Sequence, residues 1–378
     1  MIYILPLLFT FLCAVVCECR EKKLRVHKPL FILILTYCVL LMAFRYRVGG
    51  DTLRYMDSYR FIPDLMHIKL SDVFSYYYTD PLYTLLCSFA KLFGKSFYIF
   101  QLFHACLLNY LIGRFIVHNT KNILFALFFY MIICFLYFNT EILRESLAVA
   151  VFVNSVRFLE KKQWIFYYML CFIALGFHVS AIVTFFLPFF YTRKVGKRHY
   201  LFFLGVLICL FCSIDYIVEY IRGDLAFEYL SKKGSLMEGL NFNVNWYIVN
   251  LSKCFLCPLL FVLFYRRSIA SDNEVYLFFY MFFGACLLVF PIVFSRFCNY
   301  FLLFFVVIVA DVSDLLLRRK NMHVAFSFAF LLLVYGYDYK KEIIADGFNY
   351  YRLFYPYSDI LEQKMDQFRE KCIYFQYM

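Results

Sequence analysis

The sequence predicts an all-α polytopic integral membrane protein of about ten to twelve transmembrane helices, some short, broken or re-entrant, around an outward-facing cavity. Three observations carry that fold class. Of the 378 residues 64% are hydrophobic and 23% aromatic, and the mean hydropathy is +0.70, more apolar surface than a soluble fold hides from water. Apolar runs of roughly 17–25 residues, the length of a helix crossing a ~30 Å hydrocarbon layer, recur from end to end. The two-residue alternation of a lipid-facing strand is absent, which argues against an outer-membrane barrel.

Taken in order, the spans fall near 2–19, 29–44, 97–117, 122–139, 143–159, 199–221, 246–265, 275–294, 297–317 and 322–338. The first has its basic cluster, "REKKLRVHK", behind it and no basic residue ahead, so it reads as a retained span and not a cleaved signal. The segment 80–94, "DPLYTLLCSFAKLFG", is short for a crossing and reads as an interfacial helix or embedded hairpin. Residues 164–191 carry basic flanks at both ends but are too few for two crossings. They predict a broken or re-entrant pair turning near "GFHVS", with a cavity beside His178. The membrane domain is thus 1–338, with outer loops 45–96 and 222–245. The tail 339–378, balancing six basic against six acidic residues, is amphipathic and periplasmic.

The net charge of +12 does not point to nucleic acid, because its basic residues lie in short clusters between apolar runs. Arg20/Lys22/Lys23/Arg25/Lys28, Arg114/Lys121, Lys161/Lys162, Arg193/Lys194/Lys197/Arg198, Arg266/Arg267 and Arg318/Arg319/Lys320 all read as cytoplasmic. The fifteen cysteines sit mostly in apolar runs and imply packing; Cys254 and Cys257, spaced CxxC, have neither a second pair nor a βαβ setting.

Against that background, several ionisable groups share the outer face. Arg45, Arg47, Arg144 and Arg296 suit an anionic ligand, since a guanidinium fork matches phosphate oxygens; snorkelling to headgroups is the competing role. Arg144 has a further alternative, an i,i+3 ion pair with Glu141. Glu141, Glu145 and Tyr55 complete the substrate-facing set. Asp51, after Gly49 and Gly50, is a general base or the N-cap of "TLRYMDSYRF". His178, beside Ser180, is a second proton carrier or a hydrogen-bonded structural group. Gln101, His104 and Asn109 on one face of a span read as polar glue between helices. No P-loop, GxGxxG, HExxH, GxSxG or DxD motif occurs.

The ordered set "RYRVGGDTLRY", "DPLYTLL", "LRESLAVAV", "LGFHVSAI" and "SRFCNYF" resembles the EpsG-type, Wzy-like polymerases of bacterial exopolysaccharide and capsule. Glu145 stands where that family often has glutamine, and Asp80 where it often has glutamate before proline. The resemblance implies glycosyl transfer on the outer side of the inner membrane, from a polyprenyl-diphosphate-linked glycan to the sugar hydroxyl of another lipid-linked repeat unit. It implies neither metal nor nucleotide cofactor. Asp51 or His178 would take the proton, and the arginines would grip diphosphate. Partners would be the lipid-linked glycans, membrane lipids, and a chain-length regulator and flippase of the same pathway. Two alternatives share the outer cavity: a transporter or flippase of lipid-linked glycan, disfavoured by the lack of a repeat, and a membrane acyltransferase of extracellular polysaccharide, disfavoured because the earliest histidine, His27, lies in a cytoplasmic cluster.

Overall fold

The computed structural model describes residues 2–18, 27–74, 80–190, 195–212, 244–265, 271–319, 322–340, 342–344 and 348–376. The protein is all-α and polytopic; among the described residues three helices are long and apolar enough to cross a membrane, beside a set of shorter apolar ones. The chain forms two compact units, Met1–Phe190 with Val306–Met378, and Tyr191–Phe305. The basic residues 20–25, 193–194, 266–267 and 320 and the loop 222–243 lie outside the described residues.

In the first unit, α1 (Ile4–Glu18) and α2 (His27–Ala43) leave large apolar side chains such as Leu5, Leu8, Ile32 and Leu33 exposed, as a lipid-facing surface requires. After the loop 44–51 come α3 (Thr52–Phe61), the one-turn α4 (Leu70–Val73) and α5 (Pro81–Ala90), a short helix started by proline at its first position. The crossing helix α6 (Phe97–Asn119) is capped by Ser96, whose Oγ accepts from Tyr98 N at 3.3 Å. The buried carboxylate of Glu18 accepts from Leu124 N (2.7 Å) and Phe125 N (3.1 Å), the free amides that open α7 (Ile123–Ile133).

The single span expected at 122–139 is interrupted. Cys134, at φ −144°, separates α7 from α8 (Phe135–Thr140), and a second break at Glu141 and Ile142 precedes α9 (Leu143–Glu160). A buried polar triad fixes this broken path: Asn109 Nδ2 donates to Asn139 Oδ1 (2.8 Å), Tyr130 to Asn109 Oδ1 (2.9 Å), and Asn139 Nδ2 to Tyr130 (3.1 Å). Each member satisfies another, so no polar group is left to apolar surroundings.

α10 (Trp164–Phe177) ends at His178, a 3-10 turn follows at Val179–Ala181, and α11 (Ile182–Phe190) returns along α10. Tyr167 Oη donates to Thr184 O at 2.5 Å and the rings of Phe172 and Phe185 lie 4.9 Å apart, so the segment is a broken helical pair that turns at "GFHVS".

The second unit holds α12 (Lys197–Cys212), then α13 (Val244–Leu251), a π-helical turn at Ser252–Leu256 and α14 (Cys257–Tyr265). α15 (Ser271–Cys286) passes so close that a Cβ on Gly284 would lie 2.6 Å from Cys254 O; only glycine allows the approach. Cys254 and Cys257 are buried apolar contacts of this turn. α16 (Pro291–Arg319) gives its first half to this unit, where Phe304 stacks on Tyr276 at 4.1 Å, and its second half to the first. The expected division between 294 and 297 lies instead at 287–290, because Pro291 starts the helix.

Back in the first unit, α17 (Met322–Lys340) leads to a small antiparallel hairpin of β1 (Glu342–Ile344) and β2 (Phe348–Asn349), a 3-10 turn at Tyr350–Leu353, and α18 (Gln367–Gln376). This tail packs on the loop 44–51 that follows α2. Tyr46 N donates to Ser358 O (2.7 Å), Gly49 N to Leu353 O (3.0 Å) and Ile360 N to Phe44 O (2.9 Å). Val48 and Leu53 share a buried core with Phe348, Leu353, Phe354 and Ile373, and each such side chain contributes at most about 1.5–3 kcal/mol.

Candidate functional site

The loop 44–51 is shaped by two glycines. Gly49 sits at φ +110°, and a Cβ there would lie 2.5 Å from Thr140 Cβ; one on Gly50 would face the Glu141 carboxyl at 3.5 Å. Glycine therefore lets the loop press against the α8–α9 break. Thr52 Oγ1 then donates to Val48 O at 2.6 Å, and Asp51 becomes the N-cap position of α3. Asp51 is half-buried, its side chain makes no cap hydrogen bond, and its carbonyl accepts from Tyr55 N at 3.0 Å.

The α8–α9 break brings in the second group. Glu141 and Arg144 are not on one continuous helix, so the regular i,i+3 geometry does not apply to them. Arg144 Nη1 instead bonds Asp80 Oδ2 at 2.6 Å, joining the start of α9 to the start of α5. Asp80 is 4% exposed and Arg144 34%, so the carboxylate is buried and the guanidinium is partly exposed. The guanidinium carbon lies 6.0 Å from the centre of the Tyr55 ring, and the Tyr55 ring is 6.1 Å from that of Tyr83. Tyr55 Oη donates to Glu141 O (3.2 Å), and Tyr350 Oη, from the tail, donates to Glu141 Oε1 (2.8 Å). Glu145 is buried in the first turn of α9, where a carboxylate meets the free amides of the helix.

His178 arrives from the broken helical pair. A Cβ on Gly176 would lie 2.7 Å from Leu82, which places the end of α10 against the start of α5, two residues from Asp80. His178 Nδ1 accepts from Ser180 N (3.2 Å) and lies 2.6 Å from Ser180 Oγ. An amide N–H only donates, so Nδ1 carries the lone pair and the neutral ring holds its proton on Nε2.

The other arginines lie elsewhere. Arg45 is wholly buried; Nη1 donates to Met42 O at 2.6 Å, while Nε and Nη2 have no protein acceptor. Burial draws its pKa down to about 10, a pull opposed by Tyr3, Tyr357, Tyr83 and Tyr98, and it stays charged at neutral pH. Arg47, at φ +52°, is paired with Glu370 of α18, and its carbonyl accepts from the buried Arg369 at 3.3 Å. Arg296 lies in the second turn of α16, in the other unit, and not in a loop.

The loop 45–51, Tyr55, Glu141, Arg144 and the neighbourhood of His178 are thus assembled in the first unit. α6 holds the assembly from behind. Gln101 Nε2 donates to Ala43 O (2.7 Å) and Arg45 O (2.9 Å), and His104 Nε2 meets Leu143 O at 2.9 Å, so one helix face fixes both the end of α2 and the start of α9. Asp80 and Tyr350 were missed as site residues. Aspartate ahead of proline at the start of a short apolar helix is a usable signal for the first; nothing local marks the second.

No curated protein and no solved structure matches this sequence significantly. The EpsG family model, in contrast, matches residues 27–359, which takes in the loop 44–51, the Asp80–Arg144 pair, His178, Arg296 and the tail strand over Arg45. A match of that extent, over most of the 378 residues, makes this chain a member of the EpsG family.

Proposed function

We propose that the protein polymerises lipid-linked oligosaccharide repeat units on the outer face of the bacterial inner membrane, for capsule or exopolysaccharide. The reaction is glycosyl transfer from a polyprenyl-diphosphate-linked donor. The acceptor sugar hydroxyl attacks the donor's anomeric carbon, the bond from that carbon to the diphosphate oxygen breaks, and the diphosphate leaves with the electron pair. The observation that carries this reading is Arg144, locked through one nitrogen by buried Asp80 yet one-third open. A fixed cation in a poorly solvated site stabilises the charge that gathers on a leaving diphosphate. Arg45 and Arg47 shape the loop beside it, and Arg296 is a further candidate for the glycan or its diphosphate.

Asp51 is assigned as the base. The lone pair of neutral His178 is taken up by Ser180, so His178 serves as a donor from Nε2, toward the acceptor sugar or the departing oxygen. Tyr55, Glu141 and Glu145 line the approach. No metal or nucleotide takes part in this proposal.

The test is chain elongation by purified protein in liposomes supplied with lipid-linked repeat units. Wild type should lengthen the glycan, and Arg144→Lys, which keeps the charge but loses the planar fork, should turn over at least about tenfold more slowly. Bound repeat units that never lengthen under wild-type protein would sink the enzymatic reading in favour of transport.

A further inference from the structure

At the other end of α9, about 20 Å along the helix from Arg144, a groove of about 240 Å³ opens between α6, α9 and α10. Its walls are apolar except for Asn154, whose Nδ2 is spent on Leu111 O and Ala150 O, and two guanidiniums, Arg114 and Arg157, which lie close enough to repel one another. Among the described residues neither forms an ion pair, and Arg157 Nε is buried without a hydrogen-bond partner. Arg157 rests 4.6 Å above the Phe158 ring, which holds its head at the groove mouth. Phe166 and Met169 continue the groove onto the outside of α10, where each is more than half exposed, and Ile173 extends the same strip.

Two unpaired cations beside a lipid-facing apolar strip need an anion that carries its own hydrocarbon. A protein carboxylate or a free anion would satisfy the cations but leave the strip uncovered. We propose that this groove binds an anionic phospholipid, its phosphodiester held between Arg114 and Arg157 and an acyl chain laid over Phe166, Met169 and Ile173. The charge pattern assigns this end of the bundle to the cytoplasmic leaflet, where anionic headgroups meet basic pockets between helices. The bound lipid tethers α6, α9 and α10, the helices that carry His104, Arg144 and His178.

Trp164, 44% exposed at the start of α10, is a built-in reporter, and a Trp246→Phe background leaves it the only tryptophan. The full chain is placed in phosphatidylcholine nanodiscs containing brominated phosphatidylglycerol or brominated phosphatidylcholine at equal mole fraction, and quenching of Trp164 is compared. Phosphatidylglycerol should quench preferentially, with a local enrichment of about fivefold for each guanidinium. Arg114→Gln and Arg157→Gln, each with the parent emission maximum in pure phosphatidylcholine, should each lower that preference, and the double variant should bring it to parity. Equal quenching by the two lipids in the parent, or a preference that survives in the double variant, overturns the site. Loss of the preference on adding one mole per cent polyprenyl phosphate would overturn the phospholipid and assign the groove to the carrier lipid.

Discussion

In the proposed reaction, one hydrogen bond at His178 separates the two chemical roles. Because the Ser180 amide occupies Nδ1, the imidazole offers a proton at Nε2 and no free lone pair, whereas Asp51 is half-buried at the mouth of α3 with a carboxylate to accept one. His178→Gln, which keeps a donor, should therefore lower turnover by roughly ten- to a hundredfold without abolishing it. Asp51→Asn should abolish elongation. A His178→Gln enzyme with no elongation, beside an Asp51→Asn enzyme that still elongates, would reverse the assignment. At this scale the sequence picked out the candidate side chains, because ionisable groups among apolar runs are costly and stand out. It did not show that Arg144 pairs with Asp80, since that contact depends on α5 meeting α9 across 64 residues of chain.

Among the elements, α6 sets the spacing of the site. Its Gln101 satisfies the last carbonyl of α2 and the carbonyl of Arg45, and its His104 meets the first residue of α9. Gln101→Leu strands two buried carbonyls, each costing about 1–3 kcal/mol. The variant should melt several degrees lower in detergent and elongate more slowly, because the Arg45 loop loses its hold; an unchanged melting temperature would show that α6 does not carry the loop. The polar face of α6 was legible as glue because Gln101, His104 and Asn109 recur at helical spacing. The break inside 122–139 was not. Its sequence, "ILFALFFYMIICFLYFN", reads as one span, and the chain bends there only when Asn139 closes the triad with Asn109 and Tyr130.

For the whole molecule the deciding question is sidedness. The proposed function requires the loop with Asp51 and the turn with His178 to share one face, and positive-inside placement puts the Lys161/Lys162 corner between α9 and α10 on the other. Single cysteines at Ser58, Val179 and Gln163, all exposed, in a background without accessible native thiols, make this measurable with an impermeant thiol reagent. Ser58→Cys and Val179→Cys should label in intact cells and Gln163→Cys only after permeabilisation. Labelling of Ser58 and Val179 from opposite sides would end the common-site reading.

The amino-acid sequence by itself determined that this chain lives in a membrane, that its helices are apolar and many, that residues 164–191 turn back on themselves, and which family motifs it carries, because hydropathy, span length and basic flanks act locally and need no partner. Only the tertiary structure decided what meets Arg144, that the mixed-charge tail packs over the loop 44–51 through Leu353, Phe354 and Ile373, and that Arg47 is taken up by Glu370 while Arg45 is enclosed. The reason is one of range: a carboxylate or guanidinium finds its counter-charge wherever helix packing brings one, and packing joins residues hundreds of positions apart that no local pattern connects.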